Sequence, residues 1–128
     1  MYIVITGYKI IKWGFCMYII VQYSRGNTLF YLRNRNQEPI NSKVVAISKT
    51  KYNEGLLQHI YSILSQTNHS VKEIDFVVIE MNDIESIKIN AVCEVSRYLE
   101  AQLNKNIIVT NSIETFNYNE YLKKYKTT

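Results

Sequence analysis

Residues 53–66, NEGLLQHIYSILSQ, open the stretch of sequence that decides the fold of this chain. Leucine and isoleucine recur in it at intervals of three and four residues, which predicts an amphipathic helix. The apolar run FVVI (Phe76–Ile79) predicts a strand, and a second apolar stripe from Ile84 to Leu103 predicts another helix. Helix, strand and helix in this order form a crossover unit, which requires a parallel neighbouring strand and a sheet covered by helices.

Three strands are predicted before the first helix. Tyr18–Tyr23 and Thr28–Arg33 are rich in β-branched and aromatic side chains, and Ser24–Asn27 between them carries the turn residues of a hairpin. Lys43–Ser48 predicts the third strand. Because the connections are short, we expect these strands to form an antiparallel meander.

The end of the chain predicts one more strand and one more helix. Ile107–Thr110 (IIVT) follows the second helix, and a last helix is expected from Ile113 to about Lys124, with Ser112 as a partial cap. The whole order is three strands, helix, strand, helix, strand, helix. It predicts an α/β fold with a five-stranded mixed sheet and helices on both faces, either a ribonuclease-H-like domain or a single lobe of the actin-like ATPase fold.

Capping residues predict where two of the helical segments begin. Asn53 is expected to cap the first helix. Ser70 and Glu73 fit a capping box, so a short helical turn is expected before the strand at Phe76–Ile79.

The composition is typical of one globular domain. The chain has 128 residues, of which 47% are hydrophobic and 20% charged, and its formal net charge is +4. Residues 1–16 are too short and too interrupted by lysines to span a bilayer, and they lack a secretory cleavage pattern. We interpret residues 1–16 as an N-terminal extension and residues 17–128 as a single lobe, with Met17 as the expected functional start.

Side chains that often carry chemistry are few and scattered. Cys16 and Cys93 are far apart and are expected to be reduced thiols in a cytoplasmic protein, with Cys93 a small buried hydrophobe. His59 is expected on a polar helix surface, and neither His59 nor His69 has an evident acidic or cysteine companion. We therefore predict no catalytic residue, no metal and no cofactor.

Several segments of the chain carry a family resemblance. LLQHIYSIL (Leu56–Leu64) and VKEIDFVVI (Val71–Ile79) resemble the pattern LLP-x-I-x-x-LL … L-x-D-I-D-x-I-x-V of TsaB-type proteins. Ile87–Ile89 is similar to the LRI of that family, Thr110–Phe116 to its VSSLEAL, and Met17–Val21 to its opening strand. TsaB-type proteins are inactive partners of TsaD, the enzyme that threonylcarbamoylates an adenosine next to the anticodon of certain tRNAs.

The resemblance implies a binding role rather than a catalytic one. It implies that the two central helices pack against the equivalent pair of a TsaD-like protein, as a heterodimer, or against a second copy as a homodimer, with indirect tRNA contact and no membrane. The candidate interface residues are Leu56, Ile60, Ile63, Ile84, Ile87 and Ala91. The alternative is that these residues face their own sheet, in which case exposed apolar side chains at Tyr61, Ile89 and Tyr98 would indicate a patch beyond the core.

The sequence departs from the TsaB pattern where a nucleotide would bind. The glycine-rich loop GPGSFTGLRIG of the family corresponds to Asn82–Asn90, which contains no glycine, and its DTS reads Gln22–Ser24 without an acid. Backbone approach to a phosphate usually requires glycines or exposed amides. The pattern of the second lobe is also absent from the sequence. We therefore expect a degenerate, non-catalytic member of this family.

A ribonuclease-H-like nucleic-acid-binding or nuclease domain is the alternative function. Such a nuclease needs several carboxylates around two divalent metals. Glu54 and Glu80 occupy two of the usual positions, but no acid lies at Tyr23 on the first strand. Glu80 is therefore expected to be a solvated carboxylate at a strand end.

Basic residues surround the second and third predicted strands. They are Arg33, Arg35, Lys43, Lys49 and Lys51, with Tyr31 and Tyr52 among them. This pattern is compatible with a surface for single-stranded RNA. It is also typical of a solvated sheet edge that lysines protect against aggregation, which is the interpretation we favour.

Overall fold

The computed structural model describes residues 3–6, 9–12, 17–24, 26–80 and 88–121 of the chain, and for residues 3–6, 9–12 and 88–92 the backbone alone. The first two strands, β1 (Ile3–Thr6) and β2 (Lys9–Lys12), pair antiparallel with each other. They form a two-stranded sheet of their own and do not join the main sheet. No helix in the described part of the chain is long and apolar enough to cross a bilayer.

The main sheet has five strands in the order β5-β4-β3-β6-β7. The three strands β3, β4 and β5 form an antiparallel meander, whereas β3, β6 and β7 run parallel to one another. This mixed sheet confirms the predicted α/β fold. The strand bounds are β3 Met17–Ser24, β4 Asn27–Asn34, β5 Pro39–Val45, β6 Ile74–Glu80 and β7 Asn106–Thr110.

The two helices of the crossover unit are α1 (Tyr52–Ser65) and α2 (Lys88–Leu103). Asn53 lies inside α1 rather than capping it, and the preceding Lys51 makes no side-chain cap. The predicted start of α2 at Ile84 lies outside the described residues. Helix α2 ends as predicted, at Asn104, whose φ of 54° is the left-handed conformation that often terminates helices.

Three predicted local elements differ from those in the structure. The third strand begins earlier than the predicted Lys43–Ser48, because Pro39–Val45 is the segment that pairs with β4. A 3₁₀ turn (Val71–Glu73) forms where predicted, but Ser70 makes no side-chain cap. The last helix was predicted from Ile113, where the chain instead forms a short 3₁₀ turn, capped by the Ser112 hydroxyl, and becomes helical only at Tyr118.

One face of the sheet packs against both helices. Strands β3 and β6 are buried on both faces, as is typical of parallel strands with continuous apolar sequences. Helix α1 comes so close to the segment after β5 that a Cβ at Gly55 would lie 2.5 Å from Ile47 Cγ2. The buried members of this core are Met17, Ile19, Val21, Phe30, Leu32, Leu56, Ile60, Ile63, Leu64, Ile74, Val77, Ile79, Leu99 and Leu103.

The opposite face is covered by residues 113–121, which we call the C-terminal strap. Phe116 and Tyr118 of the strap pack on Tyr18 and Phe76 of the sheet, with ring centroids 5.3–5.7 Å apart. The Tyr118 hydroxyl also donates a hydrogen bond to the carboxylate of Asp75, at the beginning of β6. Because the strap carries aromatic rings, a short segment is enough to bury this side of the sheet over β3, β6 and β7.

The open edge of the sheet at β5 is protected by its backbone. Proline at position 39 has no N–H to offer, and the pairing register skips Ile40, which leaves a bulge. The amide of Ser42 donates to the side chain of Asn41 at 2.9 Å instead of pointing freely to solvent. These backbone features, more than the lysines of the predicted basic cluster, hinder this edge from pairing with a strand of another chain.

Candidate functional site

The carboxyl ends of the parallel strands meet at Glu80, which is the end of β6. Gln22 of β3 lies beside it in the parallel register, and its Nε2 donates to Glu80 Oε1 at 2.7 Å. The backbone N–H of Ile113, at the start of the strap, donates to Glu80 Oε2 at 2.8 Å. Both carboxylate oxygens are therefore bonded by the chain itself.

Glu80 is only 9% exposed, so the prediction of a solvated carboxylate is wrong. The physical reason is its position between two neighbours that are distant in sequence, Gln22 and Ile113. Burial of a carboxylate is costly unless hydrogen-bond donors compensate it, and here two donors do so. In open α/β sheets this end of the strands is where ligands usually bind. The Glu80 carboxylate instead ties the strap to the sheet.

The carboxylates required for a ribonuclease-H-like nuclease do not converge in the described part of the chain. Glu54 is exposed in the first turn of α1, and Glu80 has both oxygens occupied. Strand β3 ends Gln22-Tyr23-Ser24 with no acid. No group of three or more histidine, cysteine, aspartate or glutamate side chains suited to a metal ion is found among the described residues.

A cleft of about 420 Å³ opens beside the first turn of α1. Its walls combine a cation, Lys51, with two carboxylates, Glu54 of α1 and Glu94 of α2, and with the polar side chains Thr50 and Asn53. The opposite charges in its lining favour neither an anion nor a cation, so the cleft by itself identifies no ligand.

The structure places three of the predicted interface residues in the chain's own core. Leu56 is 1% exposed, and Ile60 and Ile63 are fully buried against the sheet. These side chains therefore have no surface to offer a partner, which corrects their assignment to an interface. Ile84 and Ile87 lie outside the described residues, and Ala91 is described only by its backbone within α2.

The outward surface of the helix pair is mostly polar in its described part. Tyr61, which is 45% exposed, is the one large apolar side chain exposed in the described part of that surface, and it is one of the three whose exposure would indicate a patch beyond the core. Tyr98 is half-buried and packs against the core, whereas the side chain of Ile89 is not described. The other exposed residues described on the two helices are Glu54, Gln58 and Ser65 on α1, and Cys93, Glu94, Arg97, Glu100, Ala101 and Gln102 on α2. An aromatic anchor within a polar surround is a common pattern in protein interfaces.

Two further residues behave differently from their predictions. Cys93 is exposed on α2, so it is not a small buried hydrophobe. His69 does have an acidic companion, because its Nδ1 lies 2.5 Å from Glu73 Oε2. The two residues are four positions apart across the 3₁₀ turn, and this contact replaces the predicted capping box.

His59 is half-buried between α1 and the sheet rather than on a polar surface. Its ring lies 5.8 Å from the ring of Phe30, and its Nδ1 is buried without a hydrogen-bond partner among the residues that the structure describes. Burial, and secondarily the positive charge of Lys43, lower the pKa of His59 below its ordinary value of 6.5. Lys43 itself donates to the Ser62 hydroxyl of α1 at 3.0 Å.

The pKa of His59 predicts a loss of stability on mild acidification. A folded-state pKa below 6.5 means that the unfolded chain binds the proton more readily. The contribution of neutral His59 is therefore complete above pH 6.5 and falls as the pH decreases through that value toward the folded-state pKa. We expect the free energy of unfolding, measured by urea denaturation, to decrease more between pH 7 and pH 5.5 in the natural chain than in His59→Gln. An equal decrease in the free energy of unfolding in the two proteins would contradict this account.

Comparisons with known proteins identify the fold. Neither a family model nor a curated protein matches the sequence. The fold is similar to that of several solved structures, two of which align with a TM-score of 0.55 each. One is YeaZ from Pseudomonas aeruginosa, at 10% identity over 86% of this chain. The other, at 11% identity over 87% of this chain, is an uncharacterized protein with similarity to peptidase YeaZ from Pseudomonas aeruginosa.

The chain spans about half the length of both structures, covering 49% of each. YeaZ proteins are the TsaB proteins, which have the actin-like ATPase fold. At this identity the likeness shows the fold, and it agrees with the prediction of a single lobe of that architecture.

Proposed function

We propose that this chain is a non-catalytic partner subunit of the TsaB type, which binds a TsaD-like protein and supports threonylcarbamoylation of tRNA. The observation that carries the proposal is that the chain's own groups engage Glu80 at the carboxyl ends of β3 and β6. In a lobe that resembles YeaZ in fold, the carboxylate at the described end of β6, Glu80, accepts hydrogen bonds from Gln22 and from the Ile113 amide. Because both oxygens of this carboxylate hold the chain's own segments together, we assign the binding role to another surface.

The helix pair is the surface we assign to the partner. Tyr61 supplies the anchor, because it is a large aromatic side chain on α1 that the chain's own core leaves 45% exposed. Exposed charged residues of the two helices, Glu54, Arg97 and Glu100 among them, would form the rim of the interface. This assignment replaces the buried Leu56, Ile60 and Ile63 with side chains that a partner can reach.

Co-purification tests this proposal directly. Tagged protein expressed in its own host should recover the TsaD-like protein, and Tyr61→Glu should reduce the recovery at least about tenfold, the effect expected of an aromatic hot spot. Val109→Glu is the matched control, because it adds the same charge at an exposed apolar position (41%) on β7. Failure of the natural chain to recover the TsaD-like protein would reject the proposal. Equal losses from both substitutions would reject the role of the helix pair.

A further inference from the structure

The outer face of β4 and β5 is partly open to solvent: Ser42 and Val44 are exposed, whereas Leu29, Tyr31 and Arg33 are half-buried and Tyr31 packs against the edge of the cluster under the strap. We call this surface the open face. Its outward side chains are Leu29, Tyr31 and Arg33 on β4, and Ser42 and Val44 on β5. The register places Leu29 opposite Val44 and Tyr31 opposite Ser42. Val44 is 63% exposed, so the C-terminal strap leaves this half of the sheet uncovered.

Arg33 is the one charged side chain among the five outward residues that define the open face. Neither β4 nor β5 contains aspartate or glutamate. The Arg33 guanidinium lies 5.5 Å from the centre of the Tyr31 ring, a cation–π arrangement. Arg33 also adjoins the buried Tyr18 hydroxyl; burial raises the pKa of Tyr18, and the neighbouring Arg33 guanidinium partly opposes this. The guanidinium is therefore positioned by two aromatic residues rather than free in solvent.

The basic cluster predicted from the sequence is divided between the two faces of the sheet. Lys43 points to the helix side, where it bonds to Ser62. Tyr52 lies on that side too, with its hydroxyl 3.1 Å from the Thr28 hydroxyl. Of the residues in that cluster, Tyr31 and Arg33 are the pair that the sheet register holds together on the open face.

We propose that the open face binds single-stranded RNA. Bases stack on aromatic rings and on guanidinium planes, and the Tyr31–Arg33 pair presents such a platform beside the apolar surface of Leu29 and Val44. The charge of Arg33 complements the phosphate backbone, and the chain as a whole carries a net charge of +4. The exposed Ser42 hydroxyl lies on the same face and suits the 2′-hydroxyl that distinguishes RNA from DNA.

This inference goes beyond the proposed partner role and is independent of it. The open face and the α1–α2 surface lie on opposite sides of the sheet, so RNA and a protein partner can bind at the same time. The RNA measurement uses the purified chain alone. Absence of RNA binding would therefore not contradict the partner proposal. Failure to recover the TsaD-like protein would likewise not contradict RNA binding.

The first test compares two basic residues on opposite sides of the sheet. Binding of a fluorescein-labelled single-stranded RNA of about 12 nucleotides, within the usual range of site sizes, is measured by fluorescence anisotropy at several salt concentrations. We expect Arg33→Ala to weaken binding by about 5- to 150-fold, the range for loss of one stacking contact. Lys43→Ala, which removes the same charge from the helix side, should change the affinity much less. A DNA oligonucleotide of the same sequence should bind more weakly than the RNA.

The second test uses two exposed valines, so that folding is preserved. Val44→Glu adds a negative charge to the open face and should weaken RNA binding about tenfold or more, whereas Val109→Glu adds it at the opposite edge of the sheet and should have little effect. Absence of RNA binding by the natural chain would overturn the proposal. Equal losses from Arg33→Ala and Lys43→Ala, or from the two valine variants, would also overturn it, because they indicate non-specific attraction. A third outcome would also overturn the proposal: the natural chain binds no RNA, and Val44→Glu abolishes recovery of the TsaD-like protein. The open face would then be a protein interface.

Discussion

Replacing Leu56 with alanine should lower the free energy of unfolding by about 2–5 kcal/mol. Leu56 is 1% exposed and belongs to the core between α1 and the sheet, so the substitution leaves a cavity that the rigid strands cannot close. Urea denaturation followed by far-UV circular dichroism measures the difference. The same substitution at Tyr61, which is 45% exposed on the same helix, should cost much less.

This comparison also separates the two interpretations of the apolar stripe on α1. If Leu56→Ala leaves the stability almost unchanged but abolishes recovery of the TsaD-like protein, Leu56 belongs to the interface that the sequence resemblance implied. If it destabilises the chain while Tyr61→Glu affects recovery alone, the stripe is core and the partner surface lies on the outward side of the helix. The burial of Leu56, Ile60 and Ile63 leads us to expect the second result.

Replacing Glu80 with alanine should lower the free energy of unfolding by about 2–4 kcal/mol. The substitution removes the acceptor of two hydrogen bonds, from Gln22 Nε2 and from the backbone N–H of Ile113. A buried donor left without its acceptor costs about 1–3 kcal/mol. Ile113 begins the C-terminal strap, so we also expect the amides of the strap to exchange hydrogen with solvent faster in this variant, as measured by mass spectrometry.

Glu80→Gln is the matched control for this prediction. A glutamine at position 80 still accepts from the Ile113 amide through its carbonyl oxygen. The Gln22 amide can rotate by half a turn, so that its own carbonyl oxygen accepts from the new amide nitrogen. Both hydrogen bonds are then kept, and the cost should fall to about 1 kcal/mol or less. Equal destabilisation by both variants would mean that the negative charge, rather than the hydrogen bonds, holds the strap.

The behaviour of Glu80 also bears on the functional alternatives. A catalytic carboxylate of a two-metal nuclease needs oxygens that are available to the metals. In this chain the oxygens of Glu80 stabilise the fold, and Glu54 remains apart and exposed on α1. These contacts explain why binding surfaces, rather than the strand-end crevice, carry both proposals.

The sequence by itself determined the order and type of the main elements. Continuous apolar runs at MYIIV and FVVI predict strands, and the three-to-four spacing between residues 56 and 64 predicts a helix. These are local signals, because each depends on the period of side chains along one segment. They were enough to predict the five-stranded mixed sheet. The resemblance to a TsaB-type lobe came from particular sequence segments, and the comparison with YeaZ structures supports it at the level of the fold.

Local patterns were less reliable at the ends of elements and in the final segment. The period of residues 113–124 suggested a helix, yet Phe116 and Tyr118 are drawn onto Tyr18 and Phe76 of the sheet, and the burial of these rings favours an irregular strap. Similarly, Asn53 has the side chain of a cap, but α1 begins one residue earlier. Tertiary packing outweighed a weak local preference in both places.

Only the tertiary structure decided which surfaces are available for function. An apolar stripe has the same sequence period whether it faces its own sheet or a partner, so Leu56, Ile60 and Ile63 could not be assigned before the sheet was in place. Glu80 is buried because Gln22 and Ile113, which are 58 and 33 residues away, meet it at the ends of the strands. Pairing between β4 and β5 likewise sends Lys43 to the helix side and keeps Arg33 with Tyr31 on the open face. The physical reason is the same in each case: side-chain periods are set locally, but burial and hydrogen-bond partners depend on which distant segments the fold brings together.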